Sequence, residues 1–183
     1  MRFSVSDYHR IAEVTALGAN RRIQLLDGHI YEMSPIGSYH AACVRRLNRL
    51  FSALCSPDQA LVSVQNPVGL PPDSEPEPDV ALLQPRADDY ATRHPRAEEV
   101  LLVVEVADSS LTFDQEVKVP IYAQAGIPLV WVVALNEDRI YTYQAPDSTT
   151  YQTQRVCTGN DTLPLPHIGA AASISADQVF PAS

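Results

Sequence analysis

One stretch, Leu101-Leu102-Val103-Val104-Glu105-Val106-Ala107, is apolar at every position except Glu105. Such a run reads as a buried strand, and an unpaired carboxylate inside it loses its hydration without compensation. A second acid, Asp79, opens another short apolar run, Pro78-Asp79-Val80-Ala81-Leu82-Leu83. Compensation for Glu105 can come from a proton, from a basic partner such as Lys118, or from a metal ion. The last two together make an active site.

The segments around these runs define the fold class. After the Glu105 strand comes Asp108-Ser109-Ser110, then a helix from about Phe113 to Ala125 ended by Gly126 and Pro128, then the strand Leu129 to Ala134. Strand, helix, strand is a βαβ unit, so the Glu105 and Trp131 strands are expected side by side and parallel. Upstream, Ser6 caps a short helix through Leu17 that stops at Gly18. Asp27-Gly28 joins Ile23–Leu26 to His29–Met33 as a hairpin. Apolar residues at helical spacing, Cys43, Leu47, Leu50, Phe51 and Leu54 among them, predict a helix from Tyr39 to Leu54. Ala60–Val64 and Pro78–Leu83 read as strands on either side of the Pro- and acid-rich loop 71–77, and Gln84–Glu99 as an exposed connection. Arg139–Gln144 and Thr150–Val156 alternate with period two and are expected as antiparallel edge strands, with the tail's short apolar pieces packed over an edge. The expectation is one α/β domain spanning residues 1–183, a mixed sheet flanked by helices.

Composition narrows the function classes. The 183 residues, 45% hydrophobic and 19% charged, suit one globular domain. A net charge of −9 gives no global footprint of polyanion binding and argues against a DNA-coating protein. It leaves room for an enzyme that touches phosphate at one site, and Arg45, Arg46 and Arg49 are either such a local group or a solvated helix face. The three cysteines form no C-x-x-C pair, which suggests neither a disulfide framework nor a thiolate zinc site and fits a reducing compartment. No stretch reaches the ~18 apolar residues of a membrane span. A cytoplasmic protein without a membrane partner is the expectation.

Asp79 and Glu105 supply hard oxygen ligands that suit magnesium, with manganese as a substitute, and the Val106 carbonyl is a candidate third ligand. Two carboxylates brought together repel unless a cation lies between them. Lys118, on the following helix, can reach back over the strand end to stabilise charge on a phosphate, or it can simply pair with Asp114 one turn earlier. His40, at the start of the long helix, is either a phosphate- or water-orienting group or a cap, and Asp114 either positions Lys118 or is a helix N-terminal acid. Tyr122 and Trp131 read as core. His9, His29, His94 and His167 have no ligand-like spacing.

The ordered series Leu26-Asp27-Gly28, Met33-Ser34-Pro35, His40, Glu77-Pro78-Asp79, Val104-Glu105-Val106, Asp114, Lys118, Tyr122, Ala125-Gly126 and Trp131 resembles the bacterial "putative restriction endonuclease" family within the PD-(D/E)XK nuclease superfamily. The resemblance covers most of the chain. It implies a restriction-endonuclease-like core in which Asp79 and Glu105 bind a divalent metal and Lys118 completes the site. The superfamily lysine two residues after the acid is Ala107 here, and in this family the lysine comes from the following helix. Gln24 departs from the pattern, since similar sequences carry a glutamate there that supports the metal shell. Leu129 likewise replaces a common acid.

The resulting expectation is a metal-dependent endonuclease acting on DNA, with a homodimer plausible through an open sheet edge. A nuclease fold that serves as a binding or regulatory module, with Glu105 and Lys118 as a structural pair, is the alternative. A small hydrolase with another substrate is a third.

Overall fold

The computed structural model describes residues 1–14, 22–165, 168–169 and 172–181. The expected stop of the first helix at Gly18, and His167, lie outside these residues. Helix α1 (Val5–Val14) is followed by the hairpin β1 (Ile23–Leu26) and β2 (His29–Glu32), then by α2 (Ser38–Leu54). A six-stranded sheet follows with order β3-β4-β5-β6-β7-β8, comprising β3 (Leu61–Val64), β4 (Val80–Leu83), β5 (Val100–Ala107), β6 (Leu129–Ala134), β7 (Arg139–Pro146) and β8 (Tyr151–Cys157). Within this sheet only the β5–β6 pair is parallel, with Val104 opposite Trp131 and Glu105 opposite Val132. The crossover between them is a continuous helical stretch: α3 (Leu111–Phe113), a π turn (Asp114–Lys118) and α4 (Val119–Gln124). A small antiparallel pair, β9 (Thr162–Pro164) with β10 (Ser173–Ser175), follows, and a 3-10 turn (Ala176–Gln178) comes after it.

The sheet is covered on both faces, which is why β5 and β6 read as unbroken apolar runs. Alternation sends Leu102, Val104, Val106, Leu129, Trp131 and Val133 to one face, against Cys43, Leu47 and Phe51 of α2. The opposite parity, Val103, Ala107, Val130 and Val132, packs on Val119, Tyr122 and Ala123 of α4. Glu105 has that second parity. It therefore enters the layer between β5 and the crossover helix, where Lys118 and Tyr122 stand.

Three expectations need correction. The cap of α1 is Ser4, whose Oγ accepts from the Asp7 N–H at 3.1 Å while its own N–H donates to Asp7 Oδ2 at 3.2 Å, a reciprocal box that Ser6 has no partner to form. Strand β7 is internal, flanked by β6 and β8, so that of the two only β8 is an edge. Its alternation reflects a sheet face less deeply covered there, which a sequence pattern does not separate from an edge. The tail lies across a face of the sheet: Leu163, Leu165, Ile174 and Val179 join the core of Phe51 and Trp131. Among the described residues no helix is long and apolar enough to cross a membrane.

Candidate functional site

A cleft of about 350 Å³ opens where the hairpin, the N-terminus of α2, the ends of β4 and β5, and the start of the crossover helix meet. Its lining includes Gln24, His40, Asp79, Glu105, Val106, Asp114 and Lys118, every site residue singled out in the sequence. Arg45, Arg46 and Arg49 are not part of that lining. Arg45 and Arg49 are exposed, and Arg46 donates to the Gln178 carbonyl.

Asp79 stands immediately before β4 because Pro78 cannot donate to the ladder and the pairing with β5 ends at Val80 opposite Val104. Its Oδ2 accepts from the Val106 N–H at 2.8 Å and lies 3.1 Å from His40 Nε2. Its Oδ1 accepts from Gln65 Nε2 at 3.2 Å. Burial pushes the Asp79 carboxyl up, but the His40 hydrogen bond and charge, the Val106 N–H and Lys118 outweigh it and leave the pKa below its usual value. His40 moves the other way. The hydrogen bond to Asp79 raises it against the opposing effect of burial, and the charges of Asp79, Asp108 and Glu105 add to the rise.

Glu105 is 2% exposed. Its Oε2 accepts from Lys118 Nζ at 2.8 Å and its Oε1 from the Tyr122 hydroxyl at 2.6 Å. Of the compensations open to it, the basic partner is present, together with a second donor. Burial, reinforced by the nearby Asp114 and Asp79 and opposed by Lys118, raises its carboxyl to about 7. Lys118 Nζ is also 3.6 Å from Asp114 Oδ1, so it contacts both candidate partners. Burial lowers the Lys118 pKa, yet the charges of Glu105 and Asp114 more than reverse this and the group stays a cation. Asp114 is fixed by Ser110 Oγ at 2.7 Å. Gln24 Oε1 accepts from the Glu77 N–H at 3.4 Å, and Glu77 in turn pairs with Arg22.

A divalent cation would need hard oxygen ligands with spare acceptor capacity. Among the described residues no group of three or more His, Cys, Asp or Glu side chains is arranged to hold a metal. Two carboxylates and a carbonyl nevertheless suffice for an ion that retains waters. Of about four acceptor positions on each carboxylate, Asp79 has one left, on Oδ1, and Glu105 one on each oxygen. Extending the β4–β5 register sets Pro78 opposite Val106, and proline has no N–H to offer the Val106 carbonyl. The donor set fits magnesium or manganese.

Two residues in this network escape a reading of the sequence alone. Tyr122 is fully buried, as a core aromatic would be, but its hydroxyl holds Glu105; its place four residues after Lys118 on the same helix face is the signal that was available. Gln65 contacts Asp79 from across a strand pair, and nothing local in the sequence marks it.

Among curated proteins there is no significant match to this sequence. A crystal structure of "a putative nuclease belonging to DUF820" from Anabaena variabilis superposes with a TM-score of 0.78 at 14% identity, covering 97% of each chain. At that identity the likeness establishes a shared fold, here a mixed sheet with flanking helices. A family model matches residues 5–176, a span that includes every residue of the cleft network, and by that match the chain belongs to the Uma2 family, described as "Putative restriction endonuclease".

Proposed function

We propose that this protein is a metal-dependent endonuclease that hydrolyses DNA phosphodiester bonds. The observation that carries the reading is the convergence of Asp79, Glu105, the Val106 backbone and Lys118 on one cleft. In it Asp79, Glu105 and the Val106 carbonyl would hold Mg2+, or Mn2+ in its place. Bound there, the ion would supply Lewis acidity and activate water. Lys118, kept charged by Glu105 and Asp114, would stabilise the negative charge that develops on the phosphate. Asp114 and Ser110 fix the lysine's approach, and His40 holds Asp79 Oδ2.

The expected result is that Lys118→Ala, folded by circular dichroism, loses metal-stimulated cleavage of plasmid and oligonucleotide DNA by at least ~100-fold, the usual scale for losing one electrostatic stabiliser. Unchanged cleavage overturns the assignment. The closed Lys118–Glu105–Tyr122 contact and the uncharged Gln24 favour a second reading, a nuclease fold that works as a binding module. Calorimetry with Mn2+ separates the two. Binding that disappears in Asp79→Asn supports the enzyme; no binding to the wild type at millimolar metal supports the module.

A further inference from the structure

Gln65, one residue beyond β3, adopts a left-handed backbone with φ of +52°. Glycine or asparagine takes such a conformation at least cost, whereas a glutamine side chain resists it. What the conformation achieves is a two-point grip on Asp79. The Gln65 backbone N–H donates to the Asp79 carbonyl at 3.1 Å, and its side-chain Nε2 donates to Asp79 Oδ1 at 3.2 Å. Strained backbone held at such a place signals a requirement beyond chain reversal.

The two oxygens of Asp79 are not equivalent. Oδ2 receives two donors, the Val106 N–H and His40 Nε2, while Oδ1 receives only Gln65. Oδ1 alone keeps an acceptor position, and the Gln65 amide fixes the rotation of the carboxylate about its last bond. We infer that Gln65 is a positioning residue of the metal site: it holds Asp79 so that Oδ1 is the ligand atom, and the left-handed backbone is what brings its amide there. The inference rests on the metal-binding reading above. Hydrogen-bonded partners that orient a ligand of this kind typically change metal affinity ~10–100-fold when removed.

The substitution Gln65→Gly separates positioning from structure because the two roles have opposite signs. Glycine adopts φ of +52° freely, so the metal-free protein should unfold at the same temperature or higher. The donor to Oδ1 is gone, so calorimetric Mn2+ affinity should fall about tenfold or more. Gln65→Asn, which also tolerates the backbone but is one methylene short of Oδ1, should behave in the same way and covers the case in which glycine folds poorly. Mn2+ affinity within twofold of wild type in a folded variant overturns the proposal, as does parallel loss of stability and affinity, the mark of a structural role. A wild type that binds no Mn2+ overturns the metal reading itself together with this inference, whereas a wild type that binds beside equally tight variants overturns the inference alone.

Discussion

At Glu105 the effect of removing the charge, followed against pH, separates the two roles open to a buried acid. Its carboxyl rises from 4.5 to about 7 on folding, so between those values the folded protein keeps a proton that the unfolded chain has released. Stability from this group is complete below about pH 4.5 and is lost as pH rises through about 7. His40, raised above 6.5 by its bond to Asp79, acts in the same direction, since its contribution is lost as pH climbs through the folded value. Asp79, lowered from 3.8, contributes above that value and loses its contribution only in more acid solution. The thermal midpoint of metal-free protein should therefore fall between about pH 5 and pH 8, and Glu105→Gln should flatten that descent. At the alkaline end the same substitution should leave the midpoint unchanged or higher if the carboxylate is kept for a cation. A loss of ~3–5 kcal/mol, the usual result of orphaning a buried charge, would assign Glu105 and Lys118 to structure. The burial of Glu105 and its need for a partner were legible because a charge inside an apolar run demands compensation, whereas the bond made by the Tyr122 hydroxyl was masked by the apolar ring that carries it. His40 could be singled out from the sequence although its contact with Asp79 could not, and Gln65 could not be singled out at all, because the two are 39 and 14 residues from Asp79 and meet it only through tertiary packing.

Among the elements, those whose signal is local were the ones that could be read. Asp27 and Gly28 both have positive φ, +46° and +74°, the pair of values that a two-residue type I′ turn demands, and Asp-Gly announces them. The parallel β5–β6 pair followed from the intervening helical length, and the helix bounds from Gly126 and Pro128. What eluded the sequence was an element's place among others. β7 alternates like an edge strand yet lies between two neighbours, because alternation reports the burial of faces and says nothing of hydrogen bonds at the sides. The π turn at Asp114–Lys118 is equally silent in sequence, although it brings Asp114 and Lys118, four residues apart, within 3.6 Å of each other beside Glu105. The hairpin offers a test of how firmly this wall of the cleft is set. At Gly28 a Cβ would lie 2.8 Å from the Arg2 Cβ, so Gly28→Ala adds a clash to the strained φ. At Gly126, φ is +78° but no atom lies within 4 Å of the built Cβ, so Gly126→Ala meets the backbone cost alone, about 1–2 kcal/mol. Urea denaturation should find Gly28→Ala the more destabilising of the two. Equal losses would mean that the N-terminal segment yields without resistance and that the hairpin is loosely anchored.

At the scale of the molecule, the sheet divides a side packed on α2 and the tail from a side packed on the crossover helix. α2 and the C-terminal strand pair cover the first face, and the crossover helix with Lys118 and Tyr122 covers the second. α2 serves both the first face and the cleft, since its core residues pack on that face while its first turn delivers His40 to the cleft. The tail grips this helix directly: Arg46 donates to the Gln178 carbonyl, and Cys43 Sγ lies 3.5 Å from the Val179 carbonyl oxygen. It also fills the core beside Phe51 and Trp131 with Leu163, which is fully buried. If the tail is part of the scaffold, Leu163→Ala should destabilise the protein by about 2–5 kcal/mol, the range for emptying a leucine site in a closed core. Because Leu163 does not line the cleft, Mn2+ affinity at a temperature well below unfolding should stay at the wild-type value. A cost under ~1 kcal/mol would place the tail among the dispensable surface segments. A large cost accompanied by weakened metal binding would show instead that the packing of α2 sets the geometry of the site, so that the two faces act as one mechanical unit through His40 and Asp79.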